Sequence, residues 1–368
     1  MTDPVSSAPG APEPGAGGPA PGTDGHTRPD LLPADASPGP PPPLDELPLD
    51  ADGQPRLTLF GLSGRTLPGI YLVAWVASLM GAGLVAISIM GAASPYARWV
   101  FLGGLVTLAV GLLAAAGSQA AERSRRASSP FKGPSPVLAF AAVVVLALLA
   151  LLAVVAPLSA LGLDPSGPLA TTISLAVTTA VFLLVVRMLV VGTGALTWAE
   201  IGFARPLGGA LGDIATGAVL AVPVLIVSLL LTSLLAGLLA PPPSALPSAA
   251  TVPELLLNLI SACILAPLGE ETFFRGYTTT AWARAVGARS AIVRGAVFFS
   301  FAHITTLLSS SFSVGGPAAL TQFVGLLPAG IALGWVFLAR RSIFASMGLH
   351  AAFNGLQLLL LFAITARG

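Results

Sequence analysis

Apolar residues fall in long blocks from about Pro68 to the end of the chain, divided by short polar connections. A block of about 20 uncharged residues, wound as a helix rising 1.5 Å per residue, matches the ~30 Å hydrocarbon core of a bilayer. The blocks predict membrane-spanning helices at roughly 68–92, 97–117, 136–158, 169–192, 209–240, 252–285, 292–309, 319–338 and 343–364. The longer ones are expected to tilt or to project into water. The stretch 193–207, with Trp198, Glu200 and Arg205, reads as interfacial. The predicted fold class is therefore all-α: a polytopic transmembrane bundle of about eight or nine helices.

The first residues break this pattern. Positions 1–52 hold nine acids against one base, Arg28, and fifteen of the 33 prolines lie at or before Pro55. Such a stretch cannot bury enough apolar surface to offset its ordering entropy, so a disordered acidic tail is expected over 1–65. It lacks the basic start and apolar core of a signal peptide. The remainder divides into N-terminal membrane helices over 66–250 and a C-terminal domain over 251–368, where the chemically capable residues concentrate.

Composition sharpens the class. Only 9% of the 368 residues are charged, against about a quarter in a soluble domain. A soluble globular enzyme is excluded, and with no basic domain so is a nucleic-acid binder. The single cysteine, Cys263, excludes a disulfide framework and a cysteine-based zinc site. Sixteen Arg to one Lys, with abundant Ala, Gly and Pro, suggest a GC-rich bacterial genome. The bases also orient the chain. Arg123, Arg125, Arg126 and Lys132 share one connection; Arg205, the set Arg284, Arg289 and Arg294, and the pair Arg340 and Arg341 occupy alternate ones. The intervening connections (159–168, 241–251 and 310–318) hold no Lys or Arg. By the positive-inside rule this predicts a multi-pass cell-membrane protein with a cytoplasmic N-terminus and an external C-terminus.

Polar groups inside the spans are costly and usually functional. Glu270, Glu271 and Arg275 lie in the sixth apolar run, His303 in the seventh, and His350 with Asn354 in the ninth. His303 is nine residues past Arg294 and His350 nine past Arg341, so both sit roughly 14 Å from the same ends of parallel helices. Glu270 precedes Arg284 by fourteen residues on an oppositely directed helix, roughly 20 Å deep. The three elements can meet at one level.

Spacing assigns partial roles. Glu271 and Arg275 stand at i, i+4, the favourable order for an ion pair that lowers the cost of both charges. Glu270 is about 100° round the helix and free to point elsewhere. His350 and Asn354 share a face, as do Phe299 and His303. A carboxylate in such a set can act as general base for water, with a histidine sharing the proton. An imidazole N–H and an amide can donate to a developing oxyanion. Asn258, Gln322 and Gln357 read as interhelical hydrogen bonders, Asp213 and Glu254 as interfacial, and Cys263 as core packing. No H-E-x-x-H, G-x-S-x-G or usable Cys–His pair occurs.

These residues resemble the CPBP family of intramembrane proteases, the CAAX protease and bacteriocin-processing or Abi family. Its three motifs stand here as Glu270-Glu271-x-x-x-Arg275, Phe299-x-x-x-His303 and His350-x-x-x-Asn354, in order, within about 255–360. Gly276-Tyr277 also looks family-like, and Trp198-Ala199-Glu200-Ile201-Gly202-Phe203 with Arg205-Pro206 looks like a stretch often found upstream. The resemblance implies that Glu270 activates water with His303, that His350 and Asn354 stabilise the oxyanion, and that Glu271 and Arg275 support the site. The family is commonly named as metalloproteases, and Glu270, His303 and His350 could hold zinc with an open position. A metal-free glutamate–histidine site is the expectation here, because Asn354 and the Glu271–Arg275 pair suit oxyanion and scaffold roles. The implied partners are the lipid bilayer and a membrane protein or peptide substrate. Eukaryotic relatives trim prenylated CAAX proteins; a bacterial host points instead to a peptide, a bacteriocin-type precursor or a membrane protein. Two other readings compete: a non-catalytic immunity or scaffold protein, and a proton-coupled transporter, against which no repeat relates the two halves.

Overall fold

The computed structural model describes residues 64–242, 244, 246–304 and 312–365, with positions 49, 53, 59, 61 and 62; for 312–314 it describes the backbone alone. The tail expected over 1–65 thus lies almost wholly outside the described residues. The described chain is a helical bundle: α1 (Pro68–Met90), α2 (Ala97–Arg125), α3 (Pro136–Ala160), α4 (Pro168–Val186), α5 (Leu207–Leu238), α6 (Val252–Ile260), α7 (Ala266–Glu271), α8 (Thr280–Val286), α9 (Ala288–Ile304), α10 (Phe312–Arg340) and α11 (Ile343–Thr365). Among the described residues, eight helical stretches are long and apolar enough to cross a membrane, one of them the combined run Val252–Val286. The bundle is polytopic, as the blocks predict. The run expected at 292–309 corresponds to α9, which has 17 residues and ends at Ile304; positions 305–309 lie outside the described residues.

Boundaries follow local chemistry. α1, α3 and α4 each begin with proline at the first helical position, where its missing N–H costs nothing and its fixed φ suits the helix. α6 begins on a capping box: Glu254 N–H bonds Thr251 Oγ1, and Glu254 Oε2 reaches back to Ala250 N–H at 2.7 Å. α2 runs on past the predicted apolar edge to Arg125, because Ala120, Ala121 and Glu122 are good helix formers.

Close backbone contact orders the bundle. α1 and α2 form a hairpin in which a Cβ on Gly81 or Gly111 would overlap the facing backbone. α5 packs along α11 in the same way, with Gly217 against Ala345 O and Gly348 against Ile214. Without water to squeeze out between helices, van der Waals contact through small residues is the main source of association. α4 and α5 therefore belong to the same packed bundle as the helices after 251: α4 lies on α6 and α7, and α5 on α10 and α11.

One end of the bundle is fastened by polar clasps. Asp213 takes Arg340 Nη2 at 2.7 Å and Arg205 Nε at 3.2 Å. It is 1% exposed, so at its place near a span end it is a buried joint. In the π-helical turn Ala199–Phe203, Thr197 and Glu200 form a second capping box, and Glu200 pairs with Arg284. The Thr197 main-chain N–H, ahead of Arg284, holds the Glu200 carboxyl below its ordinary range. Gly202 adopts φ 106°, and a side chain there would meet Ile343 N. The Trp198–Pro206 stretch thus ties the ends of α5, α8, α10 and α11 together.

Candidate active site

The helix that carries the carboxylates is not regular. α6, α7 and α8 are joined by two π-helical segments, Ser261–Leu265 and Thr272–Thr279, on either side of Glu270 and Glu271. Pro267 supplies a local cause for the first: it lacks the N–H that would bond the carbonyl four residues back. A π turn frees main-chain carbonyls, and neighbouring side chains satisfy them. Asn354 Nδ2 donates to Ala262 O at 2.9 Å, and Thr179 Oγ1 to Leu265 O at 2.8 Å. Thr279 Oγ1 donates to Phe274 O at 2.9 Å. The two turns rotate successive side chains relative to a straight helix and aim adjacent glutamates at different partners.

Glu271 is fully buried and faces Arg275 and His350. Its Oε1 accepts from Arg275 Nη1 at 3.1 Å and from His350 Nδ1 at 2.8 Å. Glu271 is 0% and Arg275 2% exposed, so each charge depends on the other. Glu270 turns to α9, where its Oε2 lies 3.5 Å from His303 Nε2. His303 Nδ1 lies 2.8 Å from Phe299 O. A carbonyl only accepts, so Nδ1 carries the hydrogen and the basic Nε2 of the neutral ring faces Glu270. The same logic puts a hydrogen on His350 Nδ1, toward Glu271.

Phe299 joins the two halves. Its ring carries the Arg275 guanidinium 4.2 Å above its centre. The His303 ring lies 4.3 Å away and the His350 ring 6.0 Å away, edge-on. Spacing places Phe299 on the His303 face but gives no hint of its contact with Arg275 and His350, which only the tertiary fold supplies.

Glu270, His303, His350 and Asn354 all line one cavity of about 660 Å³ within the bundle. All six predicted site residues are therefore gathered in one region, four on the cavity wall and Glu271 with Arg275 behind it. Other polar side chains read as helix glue act differently. Asn258 donates to Pro247 O and Ser248 O, which fastens the connection before α6. Gln357 donates to Phe353 O within its own helix. Gln322, with Asn258 and Gln357, lines the cavity.

Glu270, His303 and His350, the residues that could hold zinc, are not grouped as a ligand set: among the described residues no three His, Cys, Asp or Glu side chains are grouped to hold a metal ion. The donors present form instead a carboxylate–imidazole pair, a second imidazole backed by a carboxylate, and an amide with one N–H to spare. That set can move a proton and donate hydrogen bonds to a developing negative charge.

Comparison with known families agrees. Residues 252–356 match the family described as Rce1-like, type II CAAX prenyl endopeptidase. No curated protein and no solved structure matches the chain. The matched segment starts at α6 and ends within α11, so it contains every residue of the carboxylate–histidine region. With eight apolar helical stretches among its described residues, the chain is a multi-pass membrane protein, and its segment 252–356 is similar to the CAAX-type (CPBP) proteases.

Proposed function

We propose that the protein is an intramembrane endopeptidase that hydrolyses a peptide bond of a membrane-associated protein or peptide through water activated by Glu270. The observation that carries this reading is the Glu270–His303 pair on the wall of a cavity that His350 and Asn354 also line. A water bonded to both Glu270 and His303 gives its proton to that pair as its oxygen adds to the scissile carbonyl carbon. The carbonyl oxygen becomes an oxyanion, which the free N–H of Asn354 and the Nε2–H of a protonated His350 stabilise; the Glu271 carboxylate balances the imidazolium. Collapse of the tetrahedral adduct breaks the C–N bond, and the proton held by the pair passes to the leaving amine. Glu271, Arg275 and Phe299 are positioning residues. No step passes through a metal.

The protein resides in the cell membrane with its N-terminus in the cytoplasm. The clasps of Arg205, Arg284 and Arg340 at one end of the bundle support that orientation. The catalytic domain is 251–368, with α4 and α5 completing its cavity wall. The test is cleavage of a library of end-blocked peptides by detergent-purified protein stripped with a strong chelator. Cleavage is expected to persist. A library left intact by the untreated protein would sink the hydrolase reading, and loss on stripping that zinc restores would sink the metal-free mechanism.

A further inference from the structure

The cavity continues well past the reacting groups, and in one direction only. On α11 its wall runs from His350 through Gln357 to Ile364, toward the C-terminal end of that helix. On α5 it takes in Leu225 to Thr232, again the later half, and it reaches the connection at Pro242 to Pro247. The connection at 241–251 carries no Lys or Arg, Arg367 is the one base beyond α11, and this end lies opposite the Asp213 and Glu200 clasps with Arg205, Arg284 and Arg340. The mouth therefore faces the non-cytoplasmic side.

This outer half holds polar atoms with no hydrogen-bond partner although they are buried. They are Gln322 Oε1, Asn258 Oδ1 and Ser228 Oγ, on residues 8%, 0% and 4% exposed. The Asn258 amide is fixed, because its Nδ2 is committed to the Pro247 and Ser248 carbonyls. Its Oδ1 can only accept. Buried polar atoms left unpaired are costly, and two amide oxygens that can only accept, with a hydroxyl that can also accept, on one cavity wall call for a ligand that brings donors. A lipid chain has none. An extended peptide presents an N–H at every residue. Nothing charged lines this half, so the side chains admitted beside it are uncharged.

We infer that the outer half of the cavity is a channel for the main chain of an extended, unlipidated polypeptide segment that enters from the non-cytoplasmic side, its N–H groups bonded by Gln322, Asn258 and Ser228. The inference rests on the hydrolase reading for its catalytic consequence, but the channel can be tested without it. Two measurements decide it. In a Cys263→Ala background, Ser228→Cys in intact cells should react with a membrane-impermeant thiosulfonate added outside. A cysteine that stays unmodified, or that reacts only from the cytoplasmic side of inverted vesicles, overturns the channel whether or not the protein is a protease. For the peptide cleaved best from the blocked library, Gln322→Leu should raise KM about 2- to 13-fold, the worth of one hydrogen bond of 0.5–1.5 kcal/mol, with kcat unchanged. Ser228→Ala, a smaller change, should do the same more weakly, and keeps the test open if the leucine variant fails to fold. KM unchanged in both, while Glu270→Gln abolishes cleavage, overturns the channel and leaves the hydrolase reading standing. Cleavage that survives Glu270→Gln overturns that reading alone.

Discussion

Removing the Glu271–Arg275 pair in two stages separates its structural from its chemical duty. Glu271→Gln leaves the Arg275 guanidinium buried at 2% exposure without its counter-charge. Arg275→Met leaves the Glu271 carboxylate, at 0% exposure, with His350 Nδ1 as its one remaining ion-pair partner among the described residues. Breaking a buried pair from either side costs about 3–5 kcal/mol, and replacing both members with neutral groups of similar volume is often close to neutral. The double variant should therefore be destabilised by less than about 3 kcal/mol, where independent effects would reach about twice a single loss. The assay is unfolding in detergent followed by circular dichroism, as a double-mutant cycle. Cleavage should behave otherwise. In both Glu271→Gln and the double variant, His350 Nδ1 no longer faces an anion, so the imidazolium that donates to the oxyanion is not balanced. Loss of one such donor is worth about 10²–10³ in kcat. Additive destabilisation, or a double variant with wild-type kcat, would refute the reasoning.

Other outcomes test other parts of the structure. Asn354→Ala should lower kcat about 10²–10³-fold with KM little changed, since it removes an oxyanion donor; a change confined to KM or to stability would contradict that role. Gly348→Ala puts a methyl into the Ile214 backbone, and such overpacking should cost about 1–3 kcal/mol, read as a lowered melting temperature. Glu200 has its carboxyl held down by the Thr197 N–H. The stability it contributes is present above the unfolded value and is lost as pH falls through the folded one. Glu200→Gln should thus be less stable than wild type near neutrality, with the gap closing below about pH 4; a gap that stays constant down to pH 3 would remove the electrostatic explanation.

Much of this site is legible in the chain because its pairs are local. Glu271 with Arg275 and His350 with Asn354 stand at i, i+4 and remain on shared faces in the fold. Counting residues to the nearest arginine puts Glu270, His303 and His350 at one level, and they do line one cavity. What spacing could not reveal depends on departures from an ideal helix or on tertiary contact. The π turns at Ser261–Leu265 and Thr272–Thr279 re-aim the two glutamates, and no periodicity announces them. Glu271 as the partner of His350, Asn354 as the donor to Ala262 O, and Phe299 under Arg275 are all contacts between distant segments. Gln322 looks like any interhelical glutamine in sequence, because a helix face turned to a cavity has the same residues as one turned to a neighbour. The capping boxes at Thr197 and Thr251 were in plain view as T-x-x-E patterns.

The central claim is that Glu270 activates the water. Glu270→Gln preserves shape and hydrogen bonding but cannot accept the proton. Its kcat on the cleaved library peptide, measured beside its unfolding midpoint, is the most direct test. The account predicts a fold that survives and a kcat reduced at least about 10²-fold, the lower end of what general-base catalysis supplies. A folded Glu270→Gln protein that cleaves at the wild-type rate would contradict it.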